Sequence, residues 1–145
     1  MRKRWTPCKH SSSRVSAGSL GGQLAITLSE FETVIPPDPK TLASLRRALE
    51  GWLDQEGVPE PARADVVLAA HEAAAKAIEH AKSTEPVIVR AQIVPEEAVV
   101  LEVRSPGNWT TQALSQGVKL LASIPSKLEV ERADRNTALR AIVPL

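Results

Sequence analysis

Two spacings of hydrophobic residues alternate along this chain. Apolar residues at every second position, as half-buried strands require, predict strands at 24–28, 87–93, 99–103, 128–130 and 137–143. Apolar residues three and four positions apart predict amphipathic helices at 41–56, 59–81 and 114–124. The predicted order is therefore β-α-α-β-β-α-β-β.

Turn and capping residues separate these elements. Asp38, followed by Pro39, has the chemistry of a helix N-cap and first turn, and Gly57 ends the first helix. Pro59 and Pro61 open the second helix, whose many alanines permit close packing. The order and the periods together predict an α+β fold, a two-layer sandwich in which helices cover one face of a mostly antiparallel sheet.

Composition limits which kinds of protein this chain can be and leaves the predicted fold unchanged. With 145 residues, of which 43% are hydrophobic and 24% charged, the chain has the size of one globular domain. No apolar run is long enough for a membrane helix, so we expect no membrane partner. The single Cys8 cannot form an internal disulfide, and no Cys/His cluster has metal-ligand spacing. These features are typical of a cytoplasmic protein.

Charge is distributed unevenly. Residues 1–29 contain five basic residues and no acid, whereas the rest carries 13 basic and 17 acidic residues. Serine and glycine accompany the basic residues, so we interpret 1–22 as a flexible basic leader and 23–145 as the domain. The acidic balance of the domain argues against nucleic-acid binding.

The most specific motif lies on the second predicted helix, where Glu72-Ala-Ala-Ala-Lys76 continues to His80-Ala81. It resembles the N-box helix of the GHKL (histidine kinase-like) ATPases, in particular the anti-sigma-factor serine kinases, whose pattern is Glu-Ala-x-x-Asn-Ala-x-x-His-Ala. The resemblance continues through 103–109, 115–118 and 136–139, where the family has Val-x-Asp-x-Gly-x-Trp, Gly-x-Gly-Leu and Gly-Thr-x-Val. It implies the histidine kinase-like ATPase fold, with a mostly antiparallel mixed sheet, and a central arginine on the first helix, here Arg46 or Arg47.

The resemblance also implies which residues form an ATP site. Glu72 would be catalytic, and the nucleotide-binding positions are Lys76, Ser105, Gly107, Gly117 and Thr137. Several of these depart from the family pattern. Lys76 replaces the Asn that binds Mg²⁺, and an ammonium group cannot coordinate a metal. Ser105 replaces the Asp that accepts a hydrogen bond from the adenine amino group. Ser115 and Asn136 replace glycines of the phosphate loops.

These departures leave alternatives open for single residues. Glu72 and Lys76 are four residues apart in the order that favours a helical ion pair, so an ordinary surface pair explains them without chemistry. In the functional interpretation, Lys76 replaces part of the Mg²⁺ charge at the phosphates. His80 is interpreted as a packing histidine near the helix end, and Trp52 as a core or interface anchor.

We therefore expect a bacterial regulator in which ATP binding is weakened or lost and no metal is bound. Its implied partners are a sigma factor, an anti-sigma antagonist protein, or both, and family members commonly form homodimers. The alternative is an active Mg²⁺·ATP-dependent serine kinase that phosphorylates the antagonist. A third interpretation is a domain that binds nucleotide as a ligand and changes its partner affinity without chemistry.

Overall fold

The computed structural model describes residues 14–16, 27–80, 84–107, 119, 124, 127–133 and 136–145. Two helices and six strands have defined bounds there: β1 (Arg14–Ser16), β2 (Thr27–Ile35), α1 (Leu42–Gln55), α2 (Ala62–Glu79), β3 (Val87–Val94), β4 (Ala98–Pro106), β5 (Lys127–Ala133) and β6 (Asn136–Pro144). A short 3-10 helix, Pro39–Thr41, precedes α1.

The strands form one sheet in the order β1-β2-β3-β4-β6-β5. Each of its five pairings is antiparallel. Both helices pack against one side of it, so the two-layer α+β sandwich expected from the sequence is confirmed. No helix in the described ranges is long and apolar enough to cross a membrane.

A capping residue before α1 and a glycine after it fix the start and the end of this helical segment as predicted. The Asp38 side chain caps the 3-10 helix by accepting a hydrogen bond of 2.9 Å from the Lys40 amide. After α1, Gly57 takes a φ of +82°, a left-handed conformation that glycine adopts without strain. The two helices begin and end within three residues of their predicted bounds.

The core lies between the helices and the sheet. The face of α1 toward the sheet buries Leu45, Leu49, Trp52 and Leu53, as its spacing predicted. Trp52 packs on Phe31 of β2, with ring centroids 5.5 Å apart. The side of α2 toward the sheet is almost entirely alanine, and it packs closely on β4 and β6.

The position of β2 differs from expectation. β2 covers Thr27–Ile35, so it shares only its first two residues with the strand predicted at 24–28, and the remainder of that prediction lies outside the described residues. Phe31, Thr33 and Ile35 point into the core and alternate with exposed or half-buried side chains, which is the pattern of a half-buried strand.

Two further predictions, the flexible leader and the third helix, fall mostly outside the described residues. β1 lies inside the segment interpreted as a flexible leader, where it pairs with β2. The division of the chain at residue 22 stays a prediction. The helix predicted at 114–124 falls almost wholly outside the described residues.

Candidate functional site

α2 carries the two charged residues of the predicted site. Its buried residues include Ala73, Ala74 and Ala77, which pack toward the sheet, while Glu72 and Lys76 are half-buried beside them. Because residues four apart lie on one side of a helix, Glu72 and Lys76 share a face. The helix therefore presents a carboxylate and an ammonium group one turn apart.

Lys76 binds a different carboxylate from the one its spacing predicted. Its Nζ donates to Oε1 of Glu79 at 3.2 Å, and the lysine side chain is only 16% exposed. Within the described residues, no hydrogen bond or ion pair holds the Glu72 carboxylate. The predicted Glu72–Lys76 pair is therefore wrong. At i,i+3 spacing, Glu79 competes with Glu72 for the same ammonium group.

The second part of the site lies where β4 and β6 pair. Ser105 and Thr137 are register partners in these strands and are 2% and 1% exposed, respectively. The Thr137 hydroxyl donates to the Gly107 carbonyl at 2.9 Å, which ties the residue after β4 to the beginning of β6. Gly107 has a φ of +87°, so backbone conformation demands a glycine there, even though a Cβ would meet no atom within 4 Å.

Asn136 lies beside Thr137 but on the other face of the sheet. Its Oδ1 accepts a hydrogen bond of 2.9 Å from Nη1 of Arg104, while Thr137 is buried on the helix side. Among described non-glycine residues, only Glu96 has a positive φ, so Asn136 does not use the left-handed conformation. The replacement of glycine is mild here because the new side chain points away from the site.

The structure thus brings together three of the predicted residues, Ser105, Gly107 and Thr137, at one end of the β4–β6 pair. Glu72 and Lys76 belong to the helix that packs across the same two strands. Gly117, the remaining nucleotide-binding prediction, lies outside the described residues. The roles of all six residues stay predictions.

Sequence reasoning missed two polar contacts around α2. Glu79 was not considered as the partner of Lys76, although i,i+3 spacing was a readable signal. Arg46 of α1 donates to Nδ1 of His71, the residue before Glu72, at 3.0 Å. Since arginine only donates, Nδ1 accepts, and a neutral His71 carries its proton on Nε2. No local pattern could have found this contact, because it joins two helices.

Among the described residues, Lys76 is chemically unsuited to the Mg²⁺-binding position that the resemblance implies. No group of three or more His, Cys, Asp or Glu side chains in the described ranges could hold a metal ion. At the ligand position stands the ammonium group of Lys76, which repels a divalent cation. Ser105 and Thr137 add buried neutral hydroxyl groups where β4 and β6 pair, and their roles toward a nucleotide stay predictions.

Comparisons with known proteins agree with the fold of this chain. The family model described as "Histidine kinase-like ATPase domain" matches residues 35–141. Among solved structures, the RsbU and RsbW domains of Rv1364c from Mycobacterium tuberculosis match with a TM-score of 0.63 and 19% sequence identity. That match covers 79% of this chain and 32% of the other, so the chain spans about a third of that protein's length. No curated protein sequence matches.

Proposed function

Because this chain belongs to the histidine kinase-like ATPase family, we propose that it is a regulatory member that binds protein partners stoichiometrically and has a weakened ATP site. The observation that carries the proposal is the position and the pairing of Lys76. It stands at the metal-binding position and is already paired with Glu79 at 3.2 Å. Phosphoryl transfer depends on metal-assisted charge stabilisation, so the loss of the metal ligand affects catalysis most.

The nucleotide-base side of the site supports the same proposal. The family's aspartate would introduce a carboxylate where Ser105 is 2% exposed. A charge at such a buried position is stabilised only when a ligand or donor pairs with it. A serine hydroxyl tolerates the burial but offers the adenine amino group a neutral acceptor, which binds it less strongly. Both substitutions therefore lower ATP affinity.

The proposed partners are a sigma factor or an anti-sigma antagonist, as the resemblance to the anti-sigma-factor serine kinases implies. The likeness to a solved structure that contains an RsbW domain supports this choice of partner class. A homodimer is the other association that the resemblance implies.

Calorimetric titration with ATP, first with Mg²⁺ and then with EDTA, tests the site directly. We expect weak or absent binding that Mg²⁺ does not strengthen. The double variant Lys76→Asn/Ser105→Asp restores the family's residues, and we expect it to gain Mg²⁺-dependent binding. Lys40→Asn is the matched control, because it removes a lysine from the 3-10 helix and leaves α2 unchanged. Tight, Mg²⁺-dependent binding by the unaltered chain would contradict the proposal.

A second candidate function, an active serine kinase, is favoured by one observation. The Glu72 carboxylate forms no ion pair within the described residues, so it is available to orient an attacking hydroxyl. Transfer of labelled phosphate from ATP to an antagonist protein, lost in Glu72→Gln, would support this function. Partner binding that is identical with and without nucleotide would instead support the stoichiometric regulator.

The nucleotide-sensing alternative is tested by Glu79→Gln, which releases Lys76 from its pair. If Lys76 binds phosphate, this variant should bind ATP more tightly in EDTA, and Lys76→Ala should abolish the binding. If neither variant changes the titration, Lys76 has no role in nucleotide binding.

A further inference from the structure

One edge of the sheet is only partly covered. β1 pairs with Thr27, Leu28 and Ser29 of β2, whereas β3 pairs with β2 without interruption as far as Ile35. Within the described sheet, residues 30–35 of β2 therefore have a neighbouring strand on one side only. We call this stretch of β2 the open edge.

The open edge keeps the geometry that another strand needs. Its register with β3 runs one residue to one residue, so it contains no bulge, and its sequence has no proline or lysine. Bulges, prolines and lysines are the features that commonly protect an edge from a further strand. β1 already pairs antiparallel with the adjoining part of β2. The open edge can therefore accept a further antiparallel strand in line with β1.

The side chains of the open edge that point away from the helices are acidic and apolar. Glu32 has a side chain 52% exposed, and Val34 is 46% exposed. On the β3 side, Arg90 donates to Oε2 of Glu32 and Gln92 donates to Oε2 of Glu30, each at 3.2 Å. Within the described residues, Oε1 of both glutamates accepts no hydrogen bond. Each carboxylate therefore has an acceptor left for a second donor.

We propose that the open edge binds an extended segment of a partner protein by strand addition, antiparallel to β2. The segment carries basic side chains opposite Glu30 and Glu32 and an apolar side chain opposite Val34. Because the strands pair residue for residue, its pattern from the N-terminus is apolar-x-basic-x-basic. Main-chain hydrogen bonds hold the segment, and its alternate side chains give selectivity. This edge is a surface separate from the predicted ATP site.

The charges of the open edge select a basic segment over a second copy of this chain. Two open edges joined antiparallel would bring the glutamates of one copy close to those of the other, and like charges on neighbouring strands are destabilising. A basic segment places opposite charges there instead. Glu32 then lies between Arg90 of β3 and a cation of the partner, so its charge is balanced on both sides.

The part of this chain that precedes β1 does not supply the same pattern. Continued toward the N-terminus in the register of β1, it would place Ser13 and Ser11 opposite the two glutamates and Lys9 opposite Val34. Serine would leave both carboxylates without a counter-charge, and the lysine would meet an apolar side chain. The segment that fits the open edge therefore comes from another protein.

Binding of a synthetic peptide to the full chain tests the proposal. The probe is Thr-Val-Thr-Lys-Thr-Arg-Thr with a fluorescent label, and fluorescence anisotropy at low salt measures its affinity. The control, Thr-Val-Lys-Thr-Arg-Thr-Thr, has the same composition with both basic residues moved by one position. We expect the control to bind at least about ten-fold more weakly, because a shift of one residue turns its charges to the other face of the sheet.

Methylation of the peptide amides distinguishes strand addition from attraction between charges. Methyl groups on every second amide remove main-chain donors and leave the charges unchanged. In an antiparallel pair, alternate residues turn their amides toward the neighbouring strand. We therefore expect methylation of one alternate set to abolish binding and methylation of the other set to preserve it. Equal affinity of both methylated peptides and the probe would overturn the proposal, since charge alone would then hold the peptide.

Charge reversal in the chain locates the bound peptide. Glu30→Lys/Glu32→Lys should bind the probe at least about ten-fold more weakly, and should bind a peptide with glutamates in place of its Lys and Arg. Glu129→Lys/Glu131→Lys is the matched control, because it makes the same change at the same spacing on β5, at the other end of the described sheet. We expect this control to bind the probe as the unaltered chain does. Melting curves check that both variants fold.

Three outcomes would overturn the proposal. The first is an unaltered chain that binds no probe, as when its own N-terminal segment or a second copy fills the open edge. The second is a loss of binding in the β5 control as large as in the β2 variant. The third is a β2 variant that rejects both the probe and the peptide of opposite charge. None of these outcomes changes the titration with ATP, so this proposal and the proposed function fail separately.

Discussion

The two faces of the central sheet use the same strands for different purposes. On β4, Leu101 and Val103 point into the core. Glu102 and Arg104 lie on the opposite face of the sheet, which is turned away from α1 and α2 and which we call the outer face. The helix side gains its stability from burial, which depends on area and packing. The outer face gains little stability, because ion pairs open to water contribute little. It carries instead a pattern of charge that depends on strand register.

Of the substitutions that test this comparison, Trp52→Ala should lower the free energy of unfolding most. The side chain is 1% exposed and packs on Phe31, so truncation should lower the free energy of unfolding by about 4 kcal/mol. Trp52→Phe should cost much less, because Nε1 is buried with no hydrogen-bond partner among the described residues, and phenylalanine removes that donor. Urea denaturation measures both. An outer-face truncation, Ile142→Ala, that cost as much as Trp52→Ala would contradict the contrast.

Ala74→Leu should have an intermediate effect on the helix side. Ala74 is fully buried on the side of α2 toward the sheet, so a larger side chain should cost about 2 kcal/mol through overpacking. Ala75→Leu is the matched control, because this neighbouring alanine is only half-buried. Thermal melts of the two variants give the comparison. Equal melting temperatures would mean that α2 does not pack closely on β4 and β6.

Glu32→Gln, which removes a carboxylate from an ion pair on the outer face, should have the smallest effect. Both partners of the Glu32–Arg90 pair are about half exposed, so its loss should cost about 0.5 kcal/mol or less. A double-mutant cycle with Arg90→Gln, repeated at high salt, isolates the pair energy. A coupling energy well above this value that persists in salt would show that the outer face also stabilises the fold.

The fold was largely predictable because its signals are local. The spacing of Leu45, Leu49 and Trp52 identified the face of α1 that packs on the sheet, and Gly57 marked its end. The hairpin of β3 and β4 followed from alternation around a short turn. The part of β2 beyond residue 28 was missed because a buried threonine, Thr33, interrupts its apolar pattern.

The site and the ion pairs between strands on the outer face depend on contacts that the sequence does not specify locally. Lys76 had two carboxylates within reach, and spacing alone could not choose Glu79 over Glu72. On the outer face, Glu32 contacts Arg90, 58 residues away, through the register of β2 and β3. A slip of one residue would turn these side chains to the other face, so tertiary packing must fix the register first.

The strand order also has a consequence for biosynthesis. β5 precedes β6 in the chain, yet within the described sheet it pairs only with β6, which lies between it and β4. A nascent chain that has emerged only as far as β5 therefore exposes the edge of β4 and leaves β5 without its neighbour. Unpaired strand edges are prone to aggregation. Synthesis of β6 fills both gaps at once, so these two strand edges are closed in a single step.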